Sequence, residues 1–101
     1  MTDLEITKAC AEAMGFEVIL HRKRYFTTAL VPYEPLHDAT ESMALLRKHG
    51  LALWGSDHAA GEWKWHAEPQ SPFIEKHPIG HGDSPNRAIC ECVANMQKGK
   101  P

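Results

Sequence analysis

Gly82-Asp83-Ser84-Pro85-Asn86-Arg87-Ala88-Ile89-Cys90-Glu91-Cys92-Val93-Ala94-Asn95-Met96 decides the fold. Ser84 has the side chain of an N-cap, and Pro85 stands at the first helical position, where its missing N–H leaves no bond unmade. Ile89, Val93 and Met96 recur at helical spacing with Cys92 beside them, so the spacing predicts a helix with one apolar stripe. Cys90 and Cys92 fall on roughly opposite sides of that helix. A striped helix has to cover another layer, and the segments before it supply strands.

Immediately upstream, Pro69 to Asp83 contains three prolines and two glycines and has little periodicity, so it reads as a long surface loop. Before it, Glu62-Trp63-Lys64-Trp65-His66-Ala67 alternates cleanly, with Trp63, Trp65 and Ala67 toward one side and Lys64 and His66 toward the other. Leu51 to Trp54 reads as its partner strand. Asp38 with Glu41 has capping-box spacing at the start of a short helix, with Ala39, Met43 and Leu46 on one face and His49-Gly50 at its end. Pro32 and Pro35 make Tyr33-Glu34-Pro35-Leu36 an extended connector. Phe16 to Val31 carries two strand-like runs separated by His21-Arg22-Lys23-Arg24, most simply a hairpin with the basic run at its turn or edge. At the N-terminus Thr2 and Glu5 form a capping box, Ile6, Cys10, Ala13 and Met14 form a stripe, and Gly15 stands where a left-handed cap is needed.

The expected architecture is therefore a single α+β domain over residues 1–101. Three helices pack on a small, mainly antiparallel sheet of three to four strands, in the order α-β-β-α-β-β-α. A chain of 101 residues supports one modest core and no second domain. A hydrophobic fraction of 43% with 24% charged residues excludes disorder and collagen-like order. No apolar run is long enough to span a membrane, and no secretory leader is visible, so the expected setting is a reducing cytoplasm. The net charge of -2 argues against a dedicated nucleic-acid coat but leaves room for a local basic patch.

Three stretches, Ala13-Met14-Gly15-Phe16, Tyr33-Glu34-Pro35-Leu36-His37-Asp38 and above all Gly82 to Cys90, resemble the small phage and prophage proteins grouped as the phage ABA-sandwich domain. The resemblance rests on helix-boundary signals. It implies a sheet flanked by helices and a phage or prophage origin, and it implies no chemistry for any residue. The basic run and the His-rich late loop depart from the usual pattern of that family.

Four constellations invite a function. Seven histidines, with His77 and His81 four apart and Cys90 and Cys92 near in sequence, raise the question of a metal site. Pro78 and Gly80 break any helix between the two histidines, and Cys-x-Cys lacks a two-residue spacer, so neither a metal nor a cofactor is expected. Cysteine catalysis would need a thiol in an electropositive, accessible setting, whereas Cys10, Cys90 and Cys92 belong to helix stripes. Glu34 with Asp38 and Glu62 with Glu68 offer acid–base pairs of no specificity. Arg22, Lys23 and Arg24, with Tyr25 beside them, suit an acidic protein surface or a nucleic-acid backbone, or else protect a strand edge from pairing. Trp54, Trp63 and Trp65 are either sheet packing or an open patch.

The leading expectation is a non-enzymatic phage or prophage accessory protein in the host bacterial cytoplasm. It would bind a host or phage protein complex and in its sharpest form inhibit a bacterial defence system, as an anti-CRISPR does. Partner contacts are expected from Arg22, Lys23, Arg24 and Tyr25, with His77 and His81 of the late loop. The alternatives are a small nucleic-acid-binding regulator using residues 22–24 and a small metal- or cysteine-dependent hydrolase. A homodimer is compatible with each.

Overall fold

A computed structural model describes residues 2–57, 63–70 and 79–98. The elements run α1 (Asp3–Met14), β1 (Val18–His21), β2 (Arg24–Thr27), α2 (Ala39–His49), β3 (Leu51–Asp57), β4 (Trp63–Pro69), β5 (Gly80–Gly82) and α3 (Pro85–Lys98). This is the expected α+β order with one short strand added before α3. The strands form two antiparallel sheets: β1-β2, and β3-β4-β5. None of the described helices is long and apolar enough to cross a membrane.

Helix boundaries follow local chemistry. Glu5 N–H donates to the Thr2 hydroxyl at 3.2 Å, and the Thr2 amide donates back to the Glu5 carboxylate at 3.3 Å, completing the capping box. Gly15 ends α1 at φ 77°, the left-handed conformation that glycine adopts without a Cβ penalty. Asp38 caps α2 by accepting from the Thr40 and Glu41 amides. Here the expected reciprocal bond is absent: the Glu41 carboxylate accepts from the Glu34 amide at 2.8 Å instead, and so ties the connector to the helix. The Ser84 hydroxyl accepts from Arg87 N–H at the start of α3.

The stripe expected for α2 is rotated. Ser42 and Leu45 are its buried residues, whereas Met43 and Ala39 are exposed. Ser42 is tolerated there because its hydroxyl lies 2.6 Å from Asn86 Oδ1 and 3.1 Å from the Ala39 carbonyl, so no polar atom is left dry.

α3 is buried far beyond one stripe: Ala88, Ile89, Cys90, Cys92, Val93 and Ala94 all fall inside. The helix lies between α1 and α2 on one side and the β3-β4-β5 sheet on the other. The thiol of Cys10 in α1 points at the Cys90 carbonyl at 3.6 Å, while Cys92 faces Gly80 of β5. The approach of β5 is close enough to require glycine. A Cβ on Gly80 would land on the Ala88 carbonyl oxygen and the Cys92 amide, and one on Gly82 would sit 2.8 Å from Arg87 Cβ. The segment read as a continuous loop from Pro69 to Asp83 therefore holds the end of β4 and all of β5, and its residues 71–78, His77 among them, lie outside the described residues.

Overpacking against helix backbone cannot relax by rotating a side chain. Gly80→Ala is expected to lower the unfolding free energy by about 3 kcal/mol. Gly15→Ala, strained in φ but sterically open, should lower it by only about 1 kcal/mol. Urea titrations of both variants check the order.

Candidate functional site

β1 and β2 form a ribbon that stands apart from the larger sheet. Its register pairs Val18 with Thr27, Ile19 with Phe26, Leu20 with Tyr25 and His21 with Arg24, which leaves Arg22 and Lys23 as a two-residue turn. Both turn residues have positive φ, 50° and 62°. Such a turn matches the twist of the flanking strands and is ordinarily built from Asn-Gly or Asp-Gly. An L residue with a Cβ gives up about 1 kcal/mol or more in that region. Arg22 and Lys23 therefore occupy the turn and Arg24 opens β2, and β1 itself, Val-Ile-Leu-His, carries no lysine, arginine or carboxylate to block pairing along it.

The three cations and one tyrosine expected to act together have separate fates. Arg22 and Lys23 are exposed at the tip and make no ion pair among the described residues. Arg24 is paired with Glu34, at 2.9 Å through Nε and 2.8 Å through a terminal nitrogen, and its guanidinium lies 5.9 Å over the Phe26 ring. Tyr25 is half-buried, and its carbonyl accepts from the Tyr33 amide at 2.9 Å. The chain turns back after β2 through Leu30 at φ 62°, and Pro32 bridges Phe26. A cleft of about 310 Å³ separates Lys23 and Arg24 from Asp3, Thr7 and Leu36.

The ribbon is also unusually apolar for an exposed element. Ile19 is 51% exposed and Leu20 53%, one on each face, and the second turn adds Leu30 at 74% and Val31 at 55%. In the sequence, only the charges of this segment stand out as a candidate contact surface. The apolar positions were visible, but nothing in the pattern showed that the ribbon would stay off the core.

His81 lies elsewhere. It is the central residue of β5, on the face of the larger sheet opposite α3. Register sets Trp54, His66 and His81 in one cross-strand row. Trp54 stacks on the His66 ring with centroids 5.4 Å apart and planes at 21°, and His66 meets His81 edge to face, with Nδ1 atoms 2.7 Å apart. At that distance one Nδ1 donates and the other accepts. Trp65 takes the opposite face, half-buried against the core, whereas Trp54 is 40% exposed. His66 was not singled out from the sequence. Its partner is 15 residues away, and only strand register reveals it.

Glu34, Asp38 and the cysteines have structural roles, and Glu62 lies outside the described residues. Glu34 holds Arg24 and Asp38 caps α2. All three cysteines are buried. The thiol contact with Cys10, reinforced by burial, pushes Cys90 far up, and burial pushes Cys92 up to about 12. Neither is a nucleophile near neutral pH. Comparisons with protein families, with curated proteins and with solved structures find no match to this chain.

These thiols set an alkaline limit on stability. The unfolded chain ionises cysteine near about 8.5, while the folded chain keeps Cys90 and Cys92 protonated well above that. Above the unfolded value the unfolded state binds fewer protons, so the contribution is intact below it and is lost as pH rises. The expected slope is about 1.4 kcal/mol per pH unit for each thiol. Urea unfolding between about pH 8 and 9.5 should show the decline, and Cys92→Ala should make it shallower.

Proposed function

We propose that this chain is a binding protein and not an enzyme, and that its β1-β2 ribbon engages a protein partner. The partner surface would be acidic beside an apolar groove. The observation that carries the reading is the turn itself: two cations occupy left-handed positions that favour Asn and Gly, at the tip of a ribbon whose isoleucine and leucine are open to solvent. Local strain of this kind is retained where the strained residues have a use.

The mixture of groups favours a protein over a nucleic acid. With Arg24 held by Glu34, the tip offers Arg22 and Lys23 alone, and two cations release few counterions from a phosphate backbone. Exposed Ile19 and Leu20 and the open edge of β1 instead suit strand addition, in which backbone bonds supply affinity and alternate side chains supply specificity. The setting supported by the helix-boundary resemblance is a phage or prophage accessory protein in the host cytoplasm. Its target there would be a host or phage protein complex, with inhibition of a bacterial defence system as the sharpest form.

Arg22→Asn with Lys23→Gly tests this directly, because the turn it creates is the more stable one. The double variant is expected to gain about 1–2 kcal/mol in unfolding free energy. It should also lose the partner that the wild-type chain captures from infected or lysogenic cells. Unchanged capture would sink the role of the tip. Salt-dependent retention on DNA or RNA, lost in the same variant, would favour the nucleic-acid regulator, and a dimer by light scattering would assign the edge to a second copy.

A further inference from the structure

The row Trp54–His66–His81 lies on a different sheet from the ribbon and has no part in the reading above. Its geometry is set on both sides. Gly80 and Gly82 press β5 onto α3, so the single side chain of that strand points to the outer face, and register sets it against His66. Trp54 stacks on the His66 ring from the other neighbouring strand. Two imidazoles are thereby held with like nitrogens facing, His66 mostly buried and His81 exposed to solvent.

We propose that His66 and His81 form a two-imidazole site for a first-row divalent transition-metal ion, Cu²⁺ being held more tightly than Ni²⁺ or Zn²⁺. Imidazole nitrogen is a good ligand for all three, and their affinities for a given nitrogen site follow that order. With metal–nitrogen bonds of about 2.0–2.1 Å, two cis ligands at a right angle lie about 2.9 Å apart, and tetrahedral ligands about 3.3 Å apart. The observed 2.7 Å between Nδ1 atoms is closest to the right-angled arrangement of Cu²⁺ and Ni²⁺. A small rotation of the exposed His81 ring turns both lone pairs onto one ion.

Binding replaces the hydrogen bond. The donor ring moves its proton from Nδ1 to Nε2, both rings stay neutral, and no proton is released overall. Among the described residues no third His, Cys, Asp or Glu joins the pair, so the two imidazoles are the ligands that these residues supply. Lys64 and Glu68 flank His66 on the same strand face and offset each other in charge.

Trp54 supplies the readout, because a paramagnetic ion bound at His66 quenches the indole stacked on it. The full chain, free of any histidine tag, is titrated with CuCl₂, NiCl₂ and ZnCl₂ while tryptophan fluorescence is followed. The Zn²⁺ complex is examined in parallel by NMR of the histidine ring protons. One-to-one binding in the order Cu²⁺ over Ni²⁺ over Zn²⁺ is expected, with His66 and His81 as the rings that shift. His81→Gln, exposed and outside the core, should keep the wild-type urea midpoint and weaken Cu²⁺ binding by at least about tenfold. Trp54→Phe should remove most of the quenching and leave the stoichiometry. The proposal is overturned if the wild-type chain shows no saturable one-to-one binding, if His81→Gln binds Cu²⁺ as tightly as the wild type, or if the shifting rings are other histidines.

Discussion

The contact between β5 and α3 is the constraint on which the larger part of the molecule depends. Helix and strand backbones meet here with no side chain between them, because both β5 residues facing the helix are glycine. The Gly80 backbone lies directly against Cys92 of the helix. With β5 held this close, α3 lies flat on the sheet and its other side is left for α1 and α2. This accounts for a helix buried at six positions, many more than a single stripe would bury. The same contact aims His81 outward. One steric fact thus fixes the core and exposes a chemically active side chain on the opposite face.

The ribbon follows a different logic. A two-stranded hairpin is marginal on its own, and this one has few anchors: the Arg24–Glu34 pair, the Tyr33 amide on the Tyr25 carbonyl, Val18 against the core and the Phe16–Tyr33 edge contact at 5.7 Å. No ribbon residue is buried. Elements of this kind belong to the low-stability end of a fold, from which binding segments are drawn. The left-handed turn adds local strain and keeps two charges at the point farthest from the core contacts of the strands.

Most of the fold was legible because its boundaries are chemical. Thr2 with Glu5, Gly15, Asp38, Gly50 and Ser84-Pro85 mark helix ends through bonds made within a few residues, and alternation from Trp63 to Ala67 marks a strand through a period of two. What the sequence concealed was long-range. The face of α2 depends on Asn86 receiving the Ser42 hydroxyl, 44 residues away. β5 is a three-residue strand of Gly-His-Gly with no strand propensity, formed because helix and sheet leave space for nothing larger. The candidate sites divide along the same line. The basic turn is contiguous and could be read, although its conformation could not, since no Asn or Gly announces a left-handed pair. The His66–His81 pair is set by register, and periodicity within either segment says nothing of it.

Charge shows why a net value near zero is a poor guide to this surface. Several basic groups are spent holding elements together: Arg87 bonds Asp3 at 2.8 Å and Glu91 at 3.3 Å, Lys48 donates to the Ala13 carbonyl at 2.9 Å, and Arg24 is closed by Glu34. Arg87 and Arg24 are cancelled within a few ångströms by carboxylates, so their fields die close to the molecule. Arg22 and Lys23 have no such partner among the described residues, and they project from the body on a narrow element. At physiological ionic strength a field reaches about 8 Å. A partner approaching the tip therefore meets two positive charges before it meets the acidic remainder. The overall charge of -2 describes the chain, and the tip of the ribbon is nonetheless a positive turn backed by exposed isoleucine and leucine.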